Sequence, residues 1–274
     1  MISFPNAKVN LGLNIVGVRA NGYHDLETVF YPIDLCDVLE IVPSRSGETT
    51  LECYGRKVDC PVEKNLVHKA YELMRKEFDL PAVEMYLYKH IPDGAGLGGG
   101  SSDASSALVM LNKMFGTGLS DEELAERAAA LGADCPFFIY NKPLKATGVG
   151  DVFSPADVTL AGKTMLLVKP DVSVSTKVAY ARVVPKPSEE DLCQRLAQPM
   201  DKWRGKVKND FEDSVFAEFP ELAGIKQRLE ETGAVYASMS GSGSSMFGIF
   251  DDAKMAEQAA DGFKNYANFV IALQ

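Results

Sequence analysis

Between Pro92 and Asp103 the chain reads Pro-Asp-Gly-Ala-Gly-Leu-Gly-Gly-Gly-Ser-Ser-Asp, a run in which glycine occupies positions 94, 96, 98, 99 and 100. A stretch so poor in Cβ atoms can take positive φ and lets a ligand approach the main chain closely, so its use is local geometry rather than core packing. The residues before it, Val83 to Ile91, alternate as a strand does. Those after it place Ala104, Ala107, Leu108, Leu111, Met114 and Phe115 on one helical stripe, which predicts a helix from Ala104 to Phe115. A glycine loop that feeds a helix N-terminus gathers unpaired N–H groups and the positive end of the helix dipole at one spot. Phosphate is the anion such a spot suits.

Charge sharpens this. The 274 residues carry a formal net charge of −10, which argues against nucleic acid or an anionic membrane surface as the main partner. Phosphate binding by so acidic a chain has to come from local N–H donors rather than a global positive field. The hydrophobic share of 46% is ample for one large domain or two closely joined ones. Cys36, Cys53, Cys60, Cys135 and Cys193 lack the short paired spacing of a metal site and read as free thiols of a reducing compartment. No signal or transit peptide is legible and no apolar run approaches membrane-spanning length, so a bacterial cytoplasm is the expected setting.

Near the N-terminus Ala7, Val9, Leu11, Leu13 and Ile15 share one strand face, and Lys8, Asn10, Gly12 and Asn14 share the other. The second face suits either a lined cleft or a solvated edge strand. Asn21-Gly22 signals a turn into a returning strand, Leu26 to Leu35. A helix is predicted after Asn65, with Val67, Ala70, Tyr71, Met74 and Phe78 at helical spacing. Ser120 and Glu123 form a capping box for a helix ending near Leu131, and Gly132 is placed to stop it. Further on, strands at Thr164–Val168, Val235–Met239, Met246–Phe250 and Phe269–Leu273 alternate with helical segments at 176–183, 222–231 and 253–264. Their order, β-α-β-β-α-β, suggests a ferredoxin-like unit and a boundary near residue 158.

Two other phosphate-loop patterns compete with the wide-cradle reading. Gly94, Gly96 and Gly99 satisfy the dinucleotide fingerprint, yet the element that follows the loop helix is a second helix, where that fold needs a strand ending in an acid. Gly162-Lys163-Thr164 mimics the end of a P-loop, but Asp157 stands where its first glycine belongs and a strand follows instead of a helix.

Pro92 to Ser106 resembles the central motif of the GHMP kinases, the superfamily of galactose, homoserine, mevalonate and phosphomevalonate kinases. Ala7 to Leu11, Arg19 to His24, Gly132 to Phe138 and Ser240 to Ser244 fall in the order of that superfamily, so the resemblance runs from Ala7 to Phe250. The Gly-Gly-Gly-Ser-Ser-Asp-Ala form narrows it to the branch whose substrate is a cytidine diphosphate-linked methylerythritol. The resemblance implies an α+β fold of two units, 1–158 and 159–274. The first would be ribosomal-protein-S5-like and the second ferredoxin-like, with the active site in the cleft between them.

It also implies transfer of the γ-phosphoryl group of ATP, with Mg2+, to the 2-hydroxyl of 4-diphosphocytidyl-2-C-methyl-D-erythritol in non-mevalonate isoprenoid synthesis. Asp134 would take the hydroxyl proton and Lys8 would stabilise charge on the transferring group. Pro92, Asp93, Gly94, Ala95, Gly96, Leu97, Gly98, Gly99, Gly100, Ser101 and Ser102 would hold the ATP phosphates, with Asn65 at the adenine. Tyr23 and Tyr180 would sandwich the cytosine, His24 would pair with its edge, and Asn10 would contact the methylerythritol end. Ser101 or Ser102 would lie near the magnesium ion, and the resemblance assigns it no acidic ligand. Taken alone, Asp134 also reads as a helix-capping acid, Asn65 as a cap, and Tyr180 as core. A superfamily kinase for mevalonate or homoserine, and a non-catalytic nucleotide sensor on the same scaffold, are the rival readings.

Overall fold

The two strands expected near the N-terminus form within a run of five: β1 (Ile2–Ser3), β2 (Asn6–Val18), β3 (His24–Cys36), β4 (Val38–Pro43) and β5 (Thr50–Gly55). Of these, β1, β4 and β5 carried no sequence expectation. The structure is a computed structural model and describes residues 1–57 and 60–274. Helix α1 (Leu66–Phe78), strand β6 (Val83–Lys89) and helices α2 (Gly99–Phe115), α3 (Asp121–Ala129) and α4 (Cys135–Tyr140) follow. The remainder comprises β7 (Leu144–Thr147), β8 (Val152–Pro155), β9 (Thr164–Lys169), α5 (Thr176–Tyr180), α6 (Leu192–Leu196), α7 (Phe211–Glu218) and α8 (Pro220–Glu231). Strands β10 (Tyr236–Met239) and β11 (Met246–Phe250), helix α9 (Ala253–Asp261) and strand β12 (Ala267–Ala272) close the chain.

These elements group into two compact units that interleave along the sequence instead of following one another at residue 158. One comprises 1–7, 35–93 and 98–142; the other comprises 8–34, 94–97 and 143–274. Strand pairing sets this grouping, because the long β2–β3 pair joins β7 and β8 in one sheet and leaves β1, β4, β5 and β6 to another.

In the first unit the sheet order is β1-β4-β6-β5, antiparallel except for the β5–β6 pair. Its inward residues Leu39, Ile41, Met85 and Leu87 pack on Val67, Ala70, Tyr71 and Met74 of α1 and on Ala104, Ala107, Leu108 and Leu111 of α2. Burying that apolar surface is the main driving force for this unit. Asn65 starts α1 by accepting the Val67 N–H, and Ser120 with Glu123 forms both bonds of the capping box of α3. Helix α2 begins at Gly99, five residues earlier than its apolar stripe predicts, so Gly99 to Asp103 form its first turns. Apolar periodicity cannot register a helical turn made of glycine, serine and aspartate.

The second unit holds two sheets, β2-β3-β7-β8 and β10-β11-β9-β12. In the latter, β9 lies between β11 and β12 and pairs antiparallel with both, the arrangement expected of a β-α-β-β-α-β unit. Leu166, Val168, Met246 and Phe250 from this sheet bury against Val215, Leu222, Ile225 and Leu229 of α7 and α8. Sequence periodicity did not register α6, α7 or the short strands β7 and β8. The edge of β2 is closed by the segment before α7: Leu13 N donates to Lys208 O at 2.8 Å, and Asp210 N donates to Leu13 O at 2.8 Å. Lys8, Asn10 and Asn14 are therefore 3%, 2% and 8% exposed. The solvated-edge reading of that face fails; it is a buried polar lining.

Candidate active site

The glycine loop is held by its carbonyls. Ala95 O accepts from Ser245 N at 3.2 Å, and Leu97 O accepts from Lys8 N at 2.9 Å. Gly96 O accepts from Lys8 Nζ at 3.0 Å and from Ser240 Oγ at 2.9 Å. Gly96 has φ +75°, and a Cβ built on it would lie 2.0 Å from Ser240 O, so no side chain fits there. The N–H groups tell the opposite story. Among the described residues, none from Asp93 through Ser101 donates to any protein acceptor; the series resumes with Ser102 N donating to Gly98 O at 2.9 Å. Part of this run is exposed, and its last members open α2, where N–H groups have no intrahelical partner, so the run suits an anion.

Lys8 sits at the base of this arrangement. Besides Gly96 O, its ammonium donates to Asn10 Oδ1 at 2.7 Å and lies 4.9 Å from the Phe30 ring centroid. Asn10 Nδ2 donates to Thr28 Oγ1 at 2.9 Å, and that hydroxyl donates to Gly12 O at 2.6 Å, which fixes the amide's orientation. A buried ammonium held this way is a rigid positive charge beside the loop.

In the first unit, Asp134 precedes α4 in the turn after α3. It occupies the N-cap position, but its side chain makes no capping hydrogen bond, so the capping role does not account for it. Its turn is tied to the loop helix: the single Ser105 Oγ proton lies within reach of Ser101 O at 2.9 Å and of Cys135 O at 2.7 Å. A Cβ on Gly132 would lie 3.3 Å from Cys135 Sγ and 3.9 Å from Ser101 Oγ. The acid is thus carried on a turn packed against the first turns of α2. Burial pushes the Cys135 thiol up to about 11, which leaves it an inert protonated group.

Of the residues expected to select the acceptor, Tyr23 is 63% exposed after the Asn21-Gly22 turn. The His24 and Tyr180 rings stack with centroids 4.5 Å apart and a 34° tilt, and Tyr180 meets Phe211 edge-on at 4.7 Å. Tyr180 is therefore both half-buried packing and next to His24, with one face already covered. Asn65 caps α1 as its plain reading required, and its Nδ2 also reaches Cys53 Sγ at 3.8 Å. Lys163, of the rejected P-loop pattern, is paired with Asp251.

Other supporting residues escaped sequence reasoning. Asn209, 3% exposed, donates to Met239 O at 2.9 Å and Gly241 O at 2.7 Å. Glu212 accepts from Met239 N at 2.9 Å. Three residues apart where α7 begins, they hold the serine–glycine turn that covers Gly96. The sole sequence signal was the polar residues on either side of Phe211, Asn209-Asp210 before it and Glu212 after it. The second group is Asp37 and Lys89 together with Asp103, which the sequence places in the loop cradle; all three are buried, with Lys89 Nζ between the two carboxylates.

Burial, with the neighbouring Asp37 charge, raises the Asp103 carboxyl from 3.8 to about 7 despite Lys89. Between those pH values the folded chain holds a proton that the unfolded chain releases, so this group contributes stability at low pH that is lost as pH rises through about 7. Asp103→Asn keeps the shape and removes the titration. Melting temperatures recorded from pH 4 to pH 8 are expected to lose that downward component in the variant. Parallel curves for the two proteins would show that Asp103 is not protonated in the fold.

The two-unit α+β frame, with a glycine loop entering a helix and a serine–glycine turn over it, is that of the GHMP kinases. The chain matches the pattern described as GHMP kinases N terminal domain over residues 65–142 and that described as GHMP kinases C terminal over residues 190–268. It is 52% identical over 252 residues to a 4-diphosphocytidyl-2-C-methyl-D-erythritol kinase of Bacteroides fragilis, spanning 91% of this chain and 92% of that one. The crystal structure of a 4-(cytidine 5'-diphospho)-2C-methyl-D-erythritol kinase superposes with a TM-score of 0.83 at 32% identity, covering 100% of this chain and 99% of that one. The Methanococcus jannaschii mevalonate kinase shares the fold, with a TM-score of 0.75 at 13% identity over 100% of this chain and 98% of that one.

The chain belongs to the 4-diphosphocytidyl-2-C-methyl-D-erythritol kinase family of the GHMP kinases.

Proposed function

We infer that this ATP-dependent kinase transfers the γ-phosphoryl group of ATP to the 2-hydroxyl of 4-diphosphocytidyl-2-C-methyl-D-erythritol, a step of non-mevalonate isoprenoid synthesis. The observation that carries the reading is the unpaired N–H run from Asp93 to Ser101 against captured loop carbonyls. Such a cradle binds the phosphates of the donor through main-chain dipoles, which an acidic chain needs. The family relation to kinases named for the cytidyl substrate supports the choice of acceptor.

In the proposed mechanism the acceptor hydroxyl gives its proton to the Asp134 carboxylate as its oxygen bonds to the γ-phosphorus. The bond from that phosphorus to the β–γ bridging oxygen breaks, and ADP leaves. Lys8 stabilises the charge that spreads over the transferring oxygens. Asn10 orients the methylerythritol end, His24 reads the cytosine edge, and Tyr23 and Tyr180 supply flat faces. Rotation of His24 off Tyr180 would free a face for the base. Among the described residues no group of three or more His, Cys, Asp or Glu side chains could hold a metal. By the family resemblance a magnesium ion would accompany the nucleotide near Ser101 or Ser102, and when bound it would neutralise charge on the phosphates. Among the described residues no helix is long and apolar enough to cross a membrane; the proposed setting is the bacterial cytoplasm.

The reading is tested by incubating the protein with ATP, magnesium and a panel of alcohols that includes the cytidyl substrate, mevalonate and homoserine. ADP and a phosphorylated product are expected only with the cytidyl substrate. Product from mevalonate or homoserine instead would overturn the acceptor. Nucleotide binding without any product would point to a sensor.

A further inference from the structure

The glycine loop begins and ends in the first unit on residues that belong to one buried charged cluster. Asp37, at the β3–β4 junction, is fully buried, and its Oδ1 accepts from His90 N at 2.5 Å and from Ile91 N at 2.8 Å. Those are the two residues just before Pro92. Its Oδ2 accepts from Lys89 Nζ, which also donates to Asp103 Oδ2 at 2.6 Å. Asp103 lies in the first turns of α2, just after the loop. A Cβ on Gly99 would come within 3.4 Å of Lys89 Nζ and 3.0 Å of Ile91 Cγ2, so the start of α2 is packed directly on this cluster.

Stability does not explain the cluster. Two carboxylates share one ammonium, and Asp103 Oδ1 is buried with no hydrogen-bond partner. Buried ions cost desolvation that well-packed apolar side chains of similar volume avoid, so such a group is a poor way to hold a core. It is, however, a directional way to hold two backbone segments in register. A loop rich in glycine has much conformational entropy to lose on ordering.

We propose that Asp37, Lys89 and Asp103 form a positioning cluster that clamps both ends of the glycine loop and so sets the nucleotide affinity of the enzyme. This rests on the reading of that loop as the ATP site. None of the three is a catalytic residue. They act through His90, Ile91 and the first turns of α2, which keep the N–H cradle open before the nucleotide arrives.

Lys89→Met alone leaves the buried Asp37 carboxylate without its ammonium and is expected to lower stability. The informative variant is Lys89→Met with Asp103→Asn, which removes the ammonium and one carboxylate together and leaves Asp37 on its backbone donors. It is expected to fold, by circular dichroism and melting. Its KM for ATP should rise about tenfold, with the alcohol KM and kcat at saturating ATP within about twofold of the parent. Asp37→Asn, tested beside it, should give the same selective rise, and Asp37→Glu should not restore the parent value because its longer stem displaces the acceptor oxygens. An unchanged KM for ATP in whichever of these variants folds would overturn the proposal. So would a parallel loss in kcat and both KM values, the mark of a merely structural role. Gly98→Ala serves as the control for the loop itself. If it leaves ATP binding intact, the assignment of the ATP site fails; if it weakens ATP binding while the cluster variants do not, only the clamp fails.

Discussion

Asp134→Asn is expected to lower turnover about a thousandfold while leaving the ATP dissociation constant within about twofold, because the change removes the proposed proton acceptor and not a phosphate ligand. The amide has nearly the carboxylate's shape, and the turn that carries it is fixed by other groups, namely the Ser105 hydroxyl within reach of Ser101 O and Cys135 O. Turnover is read from ADP release with the cytidyl substrate, ATP binding by calorimetry, and a melting curve run alongside separates lost chemistry from lost fold. Survival of turnover within about tenfold of the parent would remove Asp134 from the base role, since a general base contributes about a hundredfold or more. A phosphate oxygen of ATP would then be the better candidate for the proton.

Gly96→Ala should be nearly as damaging, for a different reason. The new methyl would sit 2.0 Å from Ser240 O and 2.9 Å from Ser240 C, atoms of a backbone that cannot swing aside as a long side chain can. The φ of +75° adds a cost of about 1 kcal/mol for a residue with a Cβ. Either the loop or the serine–glycine turn must move by a substantial fraction of an ångström, and a displacement on the order of 1 Å at a reacting site costs about a hundredfold. The KM for ATP is expected to rise by about that factor. Gly22→Ala is the matched comparison: its φ is +83°, but nothing lies within 4 Å of the added methyl. Equal kinetics for the two variants would show that the close approach of the turn to the loop does not matter.

Much of the fold could be read locally. Asn65 capped its helix, the Ser120–Glu123 box formed in full, and β11 matched its predicted span, because each depends on neighbours within a few residues. The strand face with Lys8 and Asn10 was ambiguous, since an edge strand and a polar lining share one pattern; the segment at 208–210 that closes it lies nearly two hundred residues away. The short helices α6 and α7 carry too few turns for periodicity to register. The Asp37–Lys89–Asp103 cluster was equally invisible. Fifty-two positions separate Asp37 from Lys89, and charged residues in a sequence read as surface unless a partner is known.

From residue types and order alone came the expectation that the 92–103 loop holds an anion, the rejection of two competing phosphate motifs, and the superfamily whose motifs recur in sequence. These follow from backbone freedom, charge balance and spacing, which a linear chain displays. Only the tertiary structure decided which loop atoms are held and which are offered. The carbonyls of Ala95, Gly96 and Leu97 are captured by Ser245, Ser240 and Lys8, and the neighbouring N–H groups stay open. It also decided that the loop's two ends are pinned by buried charge. Hydrogen bonding is directional and its partners are distant in sequence, so a glycine run can announce that it will bind an anion, but only the fold determines which of its dipoles face the ligand.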